Sequence, residues 1–595
     1  MVGPSPHKAR RKVKRTGNGS ETAGEVASSA PGTARATGNR PAYPLAAFLW
    51  PARNVSQWEI LPLILMTVGL FRWAAGLWGY SGFQNPPMHG DYEAQRHWME
   101  LTTQLPISQW YFHDLEYWGL DYPPLTAYHS WLLGKIGGII NPAWFTLFTS
   151  RGLEDPSLKV FMRATVIVSE YLIYIPAAVI FVRRLSKLQG VNTWTASVAL
   201  VAILMQPGTI LIDHVHFQYN TVMLGLVLAT MSSVLAGRFM WSCVFFVLAL
   251  GFKQMALYYA PAIFAYLLGV CIFPRVNITR FLGIAFFTAV SFAILFLPIL
   301  LGALYDAHRG VYARRDLFGP FAPLPISNQY SYLVNHKAWY YPLIQDIAQV
   351  IHRVFPFARG LFEDKVANFW CALNVVVKLR KYPSELLQQA SLLLTLAAIS
   401  PPCLVIFLKP RKKILPLALS TTAWAFFLFS FQVHEKSVLL PLMPMTVLMA
   451  GKHGLSKSTR AWVGFANLIG VWTMFPLLER VDLRIPYWTL SLLWAYLLGL
   501  PPTSFSVYKQ DGSWASLATT AIHTSFYLLM GAWHLAEAFL APPRTKPDLW
   551  VVINVGVGAV GFGICYLWCL WSLIVESGVA DLSPKSEKSR FKKSQ

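Results

Sequence analysis

From residue 60 to residue 575, apolar runs of roughly helical length alternate with short polar or basic connectors. One such run could be a core helix. A series this long exceeds what a single core can bury, and about 20 apolar residues suffice for a helix to cross a bilayer. The pattern predicts an all-α, polytopic membrane protein with about fourteen spans. They lie near 60–80, 163–182, 195–212, 220–237, 239–258, 259–274, 281–303, 385–408, 414–433, 437–450, 461–478, 486–500, 517–540 and 549–575.

These boundaries keep the basic connectors on one side of the membrane, because Lys and Arg concentrate in cytoplasmic loops. With the N-terminus cytoplasmic, the clusters Arg183/Arg184/Lys187, Arg238, Arg275/Arg280, Lys409/Arg411/Lys412/Lys413, Lys452/Lys457/Arg460 and Lys509 all fall in the cytoplasm. The expected organisation follows. Residues 1–59 form a cytosolic, mostly disordered basic arm. Residues 60–303 form an N-terminal transmembrane module with a lumenal loop at 81–162, and 304–384 a second large lumenal loop. Residues 385–575 form a C-terminal transmembrane module, and 576–595 a cytosolic basic tail. Two apolar stretches, Tyr122–Gly138 and 363–380, are expected to lie on the bilayer surface without crossing it. The first carries Lys135, and counting it as a span would move Arg183 and Arg184 across the membrane.

Composition sharpens this picture. The 595 residues are 55% hydrophobic and only 13% charged, where soluble domains carry about 25%. The net charge of +22 sits largely in the two terminal arms and beside apolar runs. That placement suits a membrane surface with anionic lipid and leaves no soluble basic domain for nucleic acid. The six cysteines lie in or beside apolar segments and read as buried thiols. Lys592-Lys593-Ser594-Gln595 resembles a dilysine retrieval signal for the endoplasmic reticulum, which is read in the cytosol; lysines in a disordered tail are the plainer alternative. The sequons at Asn18, Asn54 and Asn277 all fall on the cytoplasmic side, so none is expected to carry an N-glycan.

Polar clusters gather on the opposite face. After the first span comes Gly90-Asp91-Tyr92-Glu93-Ala94-Gln95-Arg96-His97-Trp98, then His113-Asp114, Glu116 and Leu120-Asp121-Tyr122-Pro123-Pro124, interleaved with Trp98, Trp110, Tyr111, Tyr117 and Trp118. Acids bind sugar hydroxyls and flat rings stack on a pyranose; an interfacial aromatic belt has a similar composition. Asp213-His214-Val215-His216-Phe217-Gln218-Tyr219-Asn220 lies between the third and fourth spans, where buried polar groups are costly unless paired. Asp213, His214 and His216 also admit a metal reading, without the His-x-x-x-His spacing or a cysteine that would support one. Further patches are Lys253-Gln254, His434-Glu435-Lys436, and the run from His352-Arg353 through Arg359 to Lys365. Lys253, near a helix end, is read equally as a snorkelling side chain. Together these groups supply what transfer from a lipid phosphosugar needs: a carboxylate base, cations for a departing phosphate, and aromatic and apolar surfaces.

Four stretches carry a family resemblance: Gly90–Glu100, Trp118–Thr126, Asp213–Asn220 and Val433-His434-Glu435-Lys436-Ser437. They resemble the dolichyl-phosphate-glucose-dependent glucosyltransferases of N-glycan assembly, over about residues 60–575. The run Phe355–Cys371, with Gly90-Asp91, is similar to the family's first-acting member. The resemblance implies a GT-C fold with a lumenal site at the endoplasmic reticulum membrane. It implies dolichyl β-phosphoglucose as donor, a nine-mannose dolichyl-diphosphate oligosaccharide as acceptor, an α-1,3 product, and inversion in one displacement. It implies Asp91 as base, with no metal or other cofactor. Glu93, Asp121 and Tyr122 would serve the acceptor or the loop, with Arg96 beside them. His434, Arg353, Arg359 and Lys365 would meet phosphate, with Lys253, Glu435 and Lys436 nearby. Asp213, His214, His216 and Gln218 would shape the sugar pocket or brace two helices. A transporter of lipid-linked sugars is the rival from another class. Against it stand polar clusters on one face instead of at the midplane, and no internal repeat. A mannosyltransferase of the same fold is the nearer rival.

Overall fold

The structure, a computed structural model, describes residues 43–311, 338–355, 365–509 and 513–579. Arg359, the pair Lys592 and Lys593, Asn18 and both terminal arms beyond those limits lie outside the described residues. Among the described residues the secondary structure is helical, with no strand.

The principal helices are α1 (Gln57–Gly76), α2 (Asp91–Gln104), α3 (Pro124–Ile140), α4 (Pro156–Leu172), α5 (Tyr174–Gln189), α6 (Thr193–Leu204), α7 (Asn220–Leu235), α8 (Phe239–Phe252) and α9 (Ala260–Ile272). They continue as α10 (Ile278–His308), α11 (Tyr341–Val354), α12 (Ser384–Leu408), α13 (Leu415–Phe429), α14 (Leu439–Thr446), α15 (Lys457–Thr473), α16 (Arg484–Leu498), α17 (Trp514–Phe539) and α18 (Leu549–Ser577). Each expected span falls on one of these helices or on a consecutive pair. Among the described residues, seven segments are long and apolar enough to cross a membrane by themselves: Gln57–Gly76, Pro156–Gln189, Thr193–Phe217, Gln254–Ile272, Ile278–His308, Ser384–Leu408 and Leu549–Ser577. One boundary moves. The span expected over 239–258 stops as α8 at Phe252, and a 3-10 turn, Gln254–Tyr259, leads into α9. Lys253 sits at the break with its ammonium held by the amide oxygens of Gln218 and Asn220, an arrangement an uninterrupted apolar helix would not offer.

Local sequence sets the helix starts. Asp155 accepts from the Ser157 backbone N–H before α4, Asn192 from Thr195 before α6, and Asn277 from Arg280 before α10. Asn277, a sequon asparagine, therefore serves as a helix cap. Between α6 and α7 the chain passes through a π-helical turn, Ile210–Phe217. Small residues bring helices close. A Cβ on Gly225 of α7 would stand 2.6 Å from the Tyr174 Cα of α5.

Polar struts tie the helices together. Arg72 of α1 pairs with Glu170 of α4 at 2.7 and 2.9 Å, and Glu170 also meets His214 Nε2 at 2.5 Å; Arg72 and Glu170 are fully buried. Arg163 donates to the carbonyls of His214, Val215 and Gly79, taking up acceptors at the end of the π turn. Across the two halves of the chain, Gln206 donates to Asn467 at 2.6 Å, and Asn467 donates to Thr446 at 2.9 Å. Charged groups at such depth persist only when paired.

Candidate active site

Asp91 is the first residue of α2. Gly90 before it holds φ +99° and ψ −163°, a conformation essentially restricted to glycine. A Cβ there would stand 2.9 Å from Ser81 Oγ. The first turn of α2 is then pinned by ring contacts: Tyr92 stacks on Tyr80 at 3.9 Å and meets the edge of Phe217 at 4.9 Å. Phe217 is fully buried at φ +90°. This left-handed residue turns the chain so that the side chains on either side of it, His216 and Gln218, reach the same carboxylate oxygen.

That oxygen is Asp91 Oδ2. His216 Nε2 lies 3.0 Å from it, Gln218 Nε2 donates at 2.8 Å, and Lys436 Nζ forms a short ion pair with it. Among the described residues His216 Nδ1 is buried without a partner, so the ring fits best as the neutral tautomer donating through Nε2. Burial alone would raise the proton affinity of Asp91; Lys436 and His216 outweigh it and hold the carboxyl well below its usual range. The other oxygen, Oδ1, has no hydrogen-bond donor among the described residues.

Asp91 lines a cavity of about 590 Å³. Its polar lining includes Asp121, Gln218, Asn220, Lys253, Gln254, Arg353, His434 and Lys436, and Trp98, Trp118 and Tyr122 add an aromatic wall. Met223, Leu224, Met255, Leu257, Phe426, Leu439 and Leu440 supply apolar lining. Trp118 holds φ +48° while its indole donates to the Met88 carbonyl at 2.5 Å and its own carbonyl accepts from the Trp98 indole at 2.8 Å. Arg353 donates to the carbonyls of Gly119 and Leu120.

Several expected site residues do other work. Asp91, Ala94, Gln95 and Trp98 follow helical spacing and form the cavity face of α2. Glu93, Arg96 and Glu100 lie on its other face. Arg96 pairs with Glu93 at 2.6 and 2.7 Å and with Glu100 at 2.6 Å, and donates to Ser150 and the Trp144 carbonyl, all buried. Glu93 and Arg96 therefore hold the first long connection together. Burial opposes the charge on Glu100, but His97 and Arg96 lower its pKa to about 2.

The π turn likewise separates the three groups of the metal reading. Asp213 accepts from Asn220 Nδ2 and the Thr221 N–H, His214 faces Glu170, and His216 faces Asp91. Lys365 pairs with Asp548 at 2.6 Å on an exposed surface. Lys365 and Glu435 are both absent from the cavity lining. Gln95 and Asn220, quoted in the motifs but not taken as site residues, do line it; spacing of four from Asp91 was the available signal for Gln95.

The strained glycine yields a first prediction. Gly90→Ala should destabilise the protein by about 1–3 kcal/mol and lower turnover by displacing Asp91; thermal unfolding and a transfer assay would check both.

A polytopic helical chain that gathers two carboxylates, Asp91 and Asp121, and several cations around an aromatic cavity has the make-up of a GT-C membrane glycosyltransferase. The chain belongs to the ALG6, ALG8 glycosyltransferase family, whose model matches residues 63–318 and 327–571. It is 42% identical to the probable dolichyl pyrophosphate Man9GlcNAc2 alpha-1,3-glucosyltransferase of Schizosaccharomyces pombe over 522 residues, 87% of this chain and 92% of that one. It is 42% identical to the dolichyl pyrophosphate Man9GlcNAc2 alpha-1,3-glucosyltransferase of Saccharomyces cerevisiae over 556 residues, 89% and 95% of the two chains. The Gallus gallus protein of the same name is 34% identical over 539 residues, covering 85% and 95%.

Proposed function

We propose that this protein transfers glucose from dolichyl β-phosphoglucose, through an α-1,3 bond, to a dolichyl-diphosphate-linked Man9GlcNAc2 oligosaccharide, with inversion and without a metal. The names of its relatives support the acceptor and the linkage. The observation that carries the chemistry is Asp91, a carboxylate at the cavity wall with one oxygen held by three groups and the other left for substrate.

Asp91 Oδ1 takes the proton from the acceptor mannose hydroxyl as its oxygen forms a bond to the glucose anomeric carbon. The bond from that carbon to the phosphate oxygen breaks on the opposite face, and its electron pair leaves with dolichyl phosphate. Lys436, with His434 and Arg353 on the same wall, meets the phosphate. A donor phosphate drawing Lys436 away from Asp91 would also raise the basicity of the carboxylate at the moment it is needed. The apolar lining suits a prenyl chain and the indoles suit a sugar face.

The same reading places the cavity on the lumenal side of the endoplasmic reticulum, both termini in the cytosol, and about fourteen crossings between them. The grouping of basic connectors supports that orientation. Purified full-length protein in lipid nanodiscs, offered the acceptor with dolichyl phosphoglucose or dolichyl phosphomannose, provides the test. Hexose transfer from the glucose donor alone is expected. Equal or preferred transfer of mannose would refute the reading.

A further inference from the structure

Along the cavity wall a chain of side chains alternates acceptors and donors. Asp213, fully buried, accepts from Asn220 Nδ2 at 2.9 Å. Asn220 Oδ1 accepts from Lys253 Nζ at 2.8 Å, and the same ammonium donates to Gln218 Oε1 at 2.9 Å. Gln218 Nε2 then donates to Asp91 Oδ2 at 2.8 Å. Lys253 is 2% exposed, and the Tyr122 ring covers it at 4.7 Å.

An amide side chain can present either end, and chemistry decides which. Each amide here stands between a carboxylate, which only accepts, and an ammonium, which only donates. Carboxylate and ammonium together fix the sense of both, and Lys253 anchors the oxygen end of each. Among the described residues no carboxylate lies within ion-pair distance of it; Asp213, Lys436, Asp91 and Asp121 act on it through space.

Resting on the reading of Asp91 as base, we propose that Lys253 is a positioning residue for glucosyl transfer. Its ammonium locks Gln218 so that the amide N–H, never the amide oxygen, faces Asp91 Oδ2, which keeps Oδ1 as the oxygen offered to the acceptor hydroxyl. Without Lys253 the Gln218 oxygen loses its donor and the amide is no longer anchored at its far end. Its hydrogen bond to Asp91 Oδ2 then weakens, the carboxylate is free to turn, and the proton affinity of Asp91 rises. Lys436 and His216 still hold Oδ2 in that case, and His434, Arg353 and Asp121 remain in the cavity wall.

The test uses full-length protein in nanodiscs with synthetic donor and acceptor. Lys253→Met should lower kcat by about tenfold to a hundredfold while donor KM stays within about twofold, as for an interaction outside substrate binding. The acid limb of kcat/KM, where Asp91 loses its proton, should move to higher pH by about one unit. Gln218→Met should move the limb alike, and the double variant no further than Gln218→Met alone, since Lys253 acts through Gln218. A raised donor KM with an unmoved limb would assign Lys253 to the phosphate and overturn the proposal, as would additive shifts. Should Lys253→Met not fold, Gln218→Glu keeps a partner for Lys253 while setting an acceptor against Asp91. It must shift the limb in the same direction, and an unmoved limb overturns the proposal there too. Failure of the underlying reading looks different: Asp91→Asn would then turn over normally, whatever Lys253 does.

Discussion

Asp91→Asn is expected to lower the turnover of folded protein by about 10²–10⁴-fold, the range attributed to a positioned general base. The substitution keeps the shape of the side chain but removes the group that accepts the acceptor's proton. It also leaves Lys436 and His216, which now converge on a carboxylate oxygen, facing a neutral amide. Donor binding should survive, because the remaining cavity cations and the apolar lining are untouched. The split between a large fall in kcat and a small change in donor KM separates loss of the base from loss of the pocket. Steady-state kinetics with both lipid substrates provides the check.

The second large effect is on stability and lies away from the chemistry. Glu170 is the shared acceptor of Arg72 and His214, all within apolar helices. Glu170→Ala should destabilise the fold by about 3–5 kcal/mol, because a buried guanidinium loses its carboxylate. The double variant Arg72→Met/Glu170→Met should recover much of that loss, since the unpaired charge goes with its partner. Thermal unfolding followed by intrinsic tryptophan fluorescence would measure both. The strut also reaches the site: His214 precedes His216 by two residues on the π turn, so Glu170→Ala should weaken the hold of His216 on Asp91.

How far the sequence foretold this depended on which interactions are local. Apolar period and length placed the spans on observed helices, because each span is specified by its own residues. Asp91 stood out in a polar run just after the first span, in one of the stretches that carried the resemblance. Glu93 and Arg96 in the same run looked equally chemical. Helical spacing divides them from Asp91, Gln95 and Trp98, and that division was readable once residue 91 is taken as a helix start. Other features were not readable. Asp91 and Lys436 are 345 positions apart, and only tertiary packing joins them. His214 and His216 looked like partners, but a π turn and the left-handed Phe217 send one to Glu170 and the other to Asp91. Lys253 sits in an apolar run where it resembled a snorkelling side chain; its burial among amides depends on a helix break that periodicity does not signal.

Glucosyl transfer in this reading is a single displacement with one carboxylate taking the acceptor's proton. The measurement that meets it most directly is the anomeric configuration of the transferred glucose, read by nuclear magnetic resonance on product made by the purified protein from a β-configured donor. An α-linked glucose on oxygen 3 of the terminal mannose is expected in every product molecule. A β-linked product would require two displacements and a covalent glucosyl-protein, and would contradict the role given to Asp91.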